Sequence, residues 1–109
     1  MDAVFRAMAD PVRRILLDEL ASQGGQTLYE LCVRLITNHA VGISRQGVSK
    51  HLAVLEEAGL VRVEVDGRCR RHHLCPEPLT SGVADWIAAL AGGLPPNTPG
   101  RNEAEGQDP

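Results

Sequence analysis

A helix predicted over residues 44–58 carries a cluster of polar side chains near its start. Its apolar stripe is formed by Val48, Leu52 and Leu55, so the polar side chains must face away from the core. They are Ser44, Arg45, Gln46, Ser49, Lys50 and His51. Amide and hydroxyl groups can hydrogen-bond to base edges in the major groove of DNA, while cationic groups also contact phosphates. The chemistry predicted for this face is therefore the recognition of duplex DNA.

A second basic group follows in a hairpin predicted over residues 61–74. The apolar period changes to two there, and Asp66-Gly67 is a strong signal for a two-residue turn. Just beyond the turn lie Arg68, Arg70 and Arg71, where a wing would contact the DNA backbone or the minor groove. Arginines near a hairpin tip more often protect strand edges, and a polar helix face is usually only a solvated surface. The two features in this order favour DNA binding.

The elements that must position these residues are four helices, two strands and a last helix. Asp10 before Pro11 predicts one helix start, and Thr27 with Glu30 three residues later predicts another. The last helix is predicted over 77–91. The fold class predicted is mainly α, a winged helix-turn-helix of order ααααββα. We expect residues 1–91 to form one DNA-binding and dimerisation domain, and the proline-rich residues 92–109 to be a disordered tail.

Composition is that of an ordinary globular chain, with 43% apolar and 23% charged residues. The net charge of −3 argues weakly against a nucleic-acid partner, but residues 44–73 hold six basic groups against four acidic ones. No basic-then-apolar leader and no apolar run near 18 residues is present, which predicts a cytoplasmic protein without membrane contact. Three cysteines without repeated spacing predict free thiols. Neither a catalytic motif nor a phosphate-binding glycine loop occurs, so no enzyme is expected.

Three segments, VFRAMADPVRRILLDEL, SRQGVSKHLAVLEEAGLVRVEVDGR and HHLCPEPL, resemble the ArsR family of winged-helix transcriptional repressors over about residues 4–90. The resemblance implies that the third and fourth helices form the DNA-reading unit and that the hairpin is the wing. It implies DNA contacts from Arg45, Gln46, Ser49, Lys50, His51, Arg68 and Arg70. It also implies a homodimer through the first and last helices, in which the contacts are Val4, Phe5, Met8, Val83, Trp86, Ile87 and Leu90. A symmetric dimer would present two recognition helices to a palindromic operator, one turn of DNA apart.

The chain departs from the family pattern in two places. The segment ITNHAV makes the turn between the third and fourth helices about six residues longer, which predicts an extended third helix or a loop. Metal-sensing members have Cys-Val-Cys in the third helix, whereas ELCVR keeps Cys32 and has Arg34 at the second position. The last helix also lacks the Asp and His pairs of the family's interfacial zinc site. We therefore expect no metal at those places and no cofactor.

Several alternatives remain open on the sequence. A zinc site could combine His72 or His73 with Cys69 or Cys75, although neighbouring strand residues face opposite sides. A thiol redox switch at Cys32, Cys69 or Cys75 and an unknown effector are also possible. The alternative function is a winged helix that serves as a protein-interaction module without DNA binding, and the acidic net charge is its best support.

Overall fold

In the part of the chain that the structure describes, four helices, a two-stranded hairpin and a final helix follow one another, as the sequence predicts. The structure is a computed structural model that describes residues 1–92. The predicted tail, residues 92–109, lies outside the described residues apart from Gly92. The elements are α1 (Asp2–Met8), α2 (Pro11–Ser22), α3 (Leu28–His39), α4 (Arg45–Glu57), β1 (Val61–Asp66), β2 (Cys69–Leu74) and α5 (Ala84–Leu90). Within residues 1–92, no helix is long and apolar enough to cross a membrane.

Three helices begin at the capping residues that the sequence predicts. The carboxylate of Asp10 accepts two backbone N–H groups from the first turn of α2. At α3, Oγ1 of Thr27 accepts the N–H of Glu30 at 3.2 Å, and Oε1 of Glu30 accepts the N–H of Thr27 at 2.8 Å. At α4, Oγ of Ser44 accepts the N–H of Gly47 at 3.0 Å. The start of α4 is therefore fixed locally, by a cap of a type that stabilises a helix by about 1 kcal/mol.

The core is aliphatic and lies between α1, α2, α3, α4 and the base of the hairpin. The predicted stripe of α4, which is Val48, Leu52 and Leu55, is buried. It packs with buried side chains from the other elements, among them Val4, Ala7, Leu16, Leu20, Leu31, Leu35, Leu60 and Val61. Because the stripe holds α4 against the core, the opposite face of α4 is left exposed.

The hairpin is antiparallel, with Val61 opposite Leu74 and Asp66 opposite Cys69. Its base is attached to the segment between α2 and α3 by backbone hydrogen bonds. The N–H of His72 donates to the carbonyl of Gln26 at 2.8 Å, and the carbonyl of His72 accepts the N–H of Gly25 at 2.8 Å. The hairpin, hereafter the wing, is thus held beside the entry to α3.

The last helix is shorter than predicted. The backbone kinks at Ser81 and Gly82, and Gly82 has a φ of 97°, a region that favours glycine. The helix α5 therefore covers only Ala84–Leu90, so the prediction of one helix over 77–91 is wrong.

The extended turn is partly helix and partly loop. The helix α3 continues to His39, where Ala40 adopts a left-handed conformation with φ 55° and ends it. The N–H of Val41 then donates to the carbonyl of Leu35 at 2.9 Å. The chain reaches the cap of α4 through only a few residues without regular structure.

Candidate nucleic-acid interface

The polar face of α4 is exposed at its start. Arg45, Gln46, Ser49 and Lys50 are all exposed, and Ser44 caps the helix in front of them. Because residues four apart share a side of a helix, these side chains form two rows, Arg45 with Ser49 and Gln46 with Lys50. The two rows place amide, hydroxyl and cationic groups side by side on the solvent side of α4.

His51 lies apart from those two rows. Its ring is half-buried, and Nδ1 lies 3.2 Å from Nη1 of Arg13 and 3.8 Å from Oδ2 of Asp10. The structure thus places His51 against the start of α2, where the side chain of Arg13 contacts one of its ring nitrogens. Sequence periodicity could assign a face to His51 but could not identify a partner 38 residues away.

The three arginines of the wing differ in exposure and in their hydrogen bonds. Arg68 and Arg70 are exposed, whereas Arg71 is half-buried. Nη1 of Arg71 donates to the carbonyl of Gly25 at 3.1 Å, and its Nε donates to Oδ2 of Asp66 at 3.3 Å. Successive strand residues face opposite sides, so Arg70 and Arg71 lie on different faces of the hairpin. Arg71 fastens the wing to the segment before α3, and the other two remain available to a ligand.

An open cleft of about 540 Å³ lies between α4 and the wing. Arg45 and Ser49 reach it from α4, and Arg68 and Arg70 reach it from the wing. Its remaining lining residues are Thr27, Leu28, Tyr29, Leu52, Glu56, Cys69 and His72. Three guanidinium groups against one carboxylate make the cleft basic. The structure therefore brings four of the predicted site residues together on one concave surface.

A buried carboxylate that the sequence analysis missed supports the end of α3. Glu19 of α2 is 5% exposed and lies 2.9 Å from Nε2 of His39 and 3.2 Å from Nδ2 of Asn38. Arg34 and Gln26 also donate to it, at 3.5 and 3.4 Å. Burial alone would raise the pKa of Glu19, but the hydrogen bonds from His39, Asn38 and Gln26 and the charge of Arg34 together hold that pKa below its usual value.

The sequence does contain a signal for this cluster. Glu19 follows Leu16 by three residues and Val12 by seven, which places it on the apolar side of α2. A charged residue on that side requires a partner. Two of the partners, Asn38 and His39, belong to the ITNHAV segment, so the extension is anchored to the body of the domain.

The residues predicted for a dimer interface divide into two groups. Val4 and Val83 are buried within the chain, which leaves little of either for a partner, while Phe5 and Met8 are half-buried. On α5, exposed side chains form what we call the α5 apolar face: Trp86 at 45%, Ile87 at 53% and Leu90 at 66% exposure. The rings of Phe5 and Trp86 lie 5.3 Å apart, which joins α1 to this face.

The histidines and cysteines considered for a zinc site are not gathered in one place. Nδ1 of His72 lies 2.9 Å from the carbonyl oxygen of Gln26, and Nε2 of His73 lies 3.0 Å from Oε1 of Glu64. No group of three His, Cys, Asp or Glu residues that could hold a metal ion occurs among residues 1–92. Burial raises the pKa of the Cys32 thiol, an effect that Arg45 partly opposes.

Known proteins resemble this chain in sequence and in fold. A family model described as a helix-turn-helix domain matches residues 8–64. The HTH-type transcriptional regulator YuzN of Bacillus subtilis is 46% identical over 86 residues, which are 79% of this chain and 94% of YuzN. The crystal structure of an ArsR family transcriptional regulator matches with a TM-score of 0.68 at 32% identity, over 84% of this chain and 86% of that one. The chain belongs to the ArsR family.

A second curated relative of this ArsR family chain is the arsenic resistance transcriptional regulator ArsR1 of Pseudomonas putida. It is 34% identical over 91 residues, which are 84% of this chain and 62% of ArsR1. The residues matched by the helix-turn-helix model run from the end of α1 into β1, so they include both α3 and α4. The predicted winged helix-turn-helix fold and the prediction of a DNA-binding transcriptional regulator are both confirmed.

Proposed function

We propose that the chain is a homodimeric repressor that binds a palindromic operator in the cytoplasm, with α4 in the major groove and the wing on the adjacent backbone. The observation that carries this proposal is the shared cleft: the exposed start of α4 and Arg68 and Arg70 of the wing face the same concave surface. A helix fits the major groove, and its first turns come closest to the base edges. The start of α4 is capped and exposed, so its first turns can approach base edges in this way.

The two rows on α4 would have different partners. Arg45 and Ser49 border the cleft, so Arg45 would contact a phosphate or a guanine on the wing side. Gln46 and Lys50 form the outer row, where Gln46 would pair with a base edge, adenine being its usual partner, and Lys50 would contact a phosphate. Arg68 and Arg70 would neutralise phosphates beside the groove. Each of these roles requires an exposed side chain, which all of these residues have.

His51 and Arg71 have a different role in this proposal. Nδ1 of His51 is occupied by Arg13, and the guanidinium of Arg71 is occupied by Gly25 and Asp66. We assign them to holding α4 and the wing in place, with the DNA contacts left to their exposed neighbours.

The α5 apolar face supports the proposed dimer. Three large apolar side chains on a helix of seven residues expose a continuous patch, which a symmetric partner would cover. Phe5, next to Trp86, would extend the contact to α1. Such a dimer would place two copies of α4 about one helical turn of DNA apart, which requires an operator with two-fold symmetry.

Selection from a random library of duplexes tests the proposal. We expect the full chain to enrich a palindromic sequence, and Gln46→Ala to relax the preference at one base pair of each half-site, at a cost of about 1–3 kcal/mol there. Affinity and base preference would be measured by fluorescence anisotropy on the selected duplex and its single-base variants. Glu57→Ala, which alters an exposed residue at the other end of α4, is the control. A chain that enriches no sequence, or a Gln46→Ala variant with unchanged preference, would refute the proposal.

A further inference from the structure

The guanidinium of Arg13 joins three helices at the point where α1 ends. Its Nε donates to the carbonyl oxygen of Ala7 at 2.6 Å, and Nη2 donates to that of Arg6 at 3.1 Å. Its Nη1 donates to Nδ1 of His51 at 3.2 Å. The last carbonyl groups of a helix need partners from outside the helix, and Arg13 supplies them for Arg6 and Ala7 of α1. Since Arg13 belongs to α2 and His51 to α4, a single side chain bridges α1 to the recognition helix.

The contact with Arg13 defines which atom of the His51 ring accepts. A guanidinium has only donors, so Nδ1 of His51 is the acceptor in this hydrogen bond. The nearby Asp10 already accepts two backbone N–H groups as the cap of α2, and its Oδ2 lies 3.8 Å from Nδ1. The 3.2 Å contact with Arg13 is therefore the shorter of the two contacts that Nδ1 of His51 makes.

We propose that Arg13 is a positioning residue for DNA binding, which couples the end of α1 to the recognition helix through His51 without touching DNA itself. The inference rests on the proposed role of α4. His51 directly follows Lys50, so a rotation of α4 about its axis that displaced His51 would also displace the two exposed rows. The buried contacts of α4 are aliphatic and hence non-directional, whereas this hydrogen bond has a defined geometry.

The contacts of Arg13 also connect α4 with the proposed dimer interface. The helix α1 that Arg13 holds also carries Phe5, whose ring lies 5.3 Å from that of Trp86 on α5. The side chains of Arg13 and His51 therefore connect the helices assigned to dimerisation with the helix assigned to base recognition.

Arg14 provides a matched control for the test. Its Nη1 donates to the carbonyl oxygen of Met8 at 2.6 Å, so it has the same charge and holds the same end of α1, but that contact does not extend to α4. The probe is the duplex that the full wild-type chain selects from a random library, and affinity is measured by fluorescence anisotropy well below the unfolding temperature. We expect Arg13→Met to weaken binding about tenfold, the loss typical of one hydrogen bond to a charged group. Arg14→Met should leave affinity near the wild-type value.

Substitutions of His51 separate coupling from general destabilisation. His51→Asn keeps an acceptor close to the position of Nδ1 and should retain affinity, whereas His51→Phe should weaken binding as much as Arg13→Met does. The double variant Arg13→Met/His51→Phe should be no weaker than either single variant, because both remove the same interaction. The salt dependence should stay the same in Arg13→Met, since the loss of a phosphate contact would lower its slope by about 0.9.

Three results would overturn this inference: an equal loss in Arg14→Met, additive losses in the double variant, or a reduced salt slope in Arg13→Met. Arg13→Lys keeps the charge but has a single nitrogen in place of the three guanidinium nitrogens that Arg13 uses, and it replaces Arg13→Met should that variant not fold. Gln46→Ala is measured in parallel. If Gln46→Ala binds as the wild type does, the proposed role of α4 fails; if only Gln46→Ala weakens binding, the coupling alone fails.

Discussion

Arg62 and Arg70 lie on the same hairpin and carry the same charge, yet they face different sides of it. Arg62 is opposite His73, while Arg70 is opposite Val65 and lines the cleft beside α4. Both side chains are exposed. If the cleft receives the DNA backbone, only the arginine that faces it should neutralise a phosphate.

The salt dependence of binding measures this difference. We expect Arg70→Gln to lower the slope of log affinity against log salt by about 0.9, the contribution of one phosphate contact. Arg62→Gln should leave the slope unchanged. The measurement is fluorescence anisotropy on one duplex over a series of salt concentrations. Equal slopes for the two variants would show that the cleft is not where the backbone lies.

Sequence periodicity predicted which residues of the candidate nucleic-acid interface are exposed. It did not predict which of them form hydrogen bonds within the protein. The stripe of Val48, Leu52 and Leu55 is sufficient to infer that Gln46 and Ser49 face outward, because a helix has a fixed period. Periodicity assigns a face and not a partner, so the contacts that hold His51 and Arg71, with residues 38 and 46 positions away, had no local signal.

At the scale of elements, the starts of helices were predictable because caps are local. Asp10, Thr27 and Ser44 each bond to an N–H group within the next three residues, so sequence alone contains the whole interaction. The start of α5 was not predictable in this way. The residues around Gly82 have an acceptable helical pattern, and only the backbone shows that Gly82 breaks it.

The Glu19 cluster predicts a specific dependence of stability on pH. Its contacts lower the pKa of Glu19, so the folded state favours the carboxylate. The stability that Glu19 contributes is therefore complete above its ordinary pKa of 4.5 and is lost as the pH falls through the lower folded value. Glu19→Gln should be less stable at neutral pH and should lose less stability on acidification.

Urea unfolding at a series of pH values between neutrality and acid would check this expectation. Glu57→Gln, which alters an exposed carboxylate on α4, is the matched control and should follow the wild type. Parallel curves for wild type and Glu19→Gln would contradict the assignment of the acid sensitivity to this cluster. They would also remove the argument that Glu19 anchors the extended end of α3.

At the scale of the whole molecule, the proposed recognition of a palindromic operator requires a second copy of the chain. One copy presents the shared cleft on the side of α4 and the wing, and leaves Trp86, Ile87 and Leu90 exposed on α5. A family resemblance implied this dimer, and the exposed face is consistent with it, because apolar patches on a small domain are commonly interfaces. Val4 and Val83, which the same resemblance assigned to the interface, are already buried in one chain and illustrate that apolar type alone does not separate core from contact.

Hydroxyl-radical footprinting of the selected duplex, with wild type and Leu90→Glu at the same concentration, tests the central claim most directly. We expect the wild type to protect two patches about one helical turn apart on one side of the duplex. Leu90→Glu places a charge on the α5 apolar face and should lose this paired protection. No protection by the wild type, or an identical footprint from Leu90→Glu, would contradict the claim that the chain presents its recognition surface to DNA in pairs.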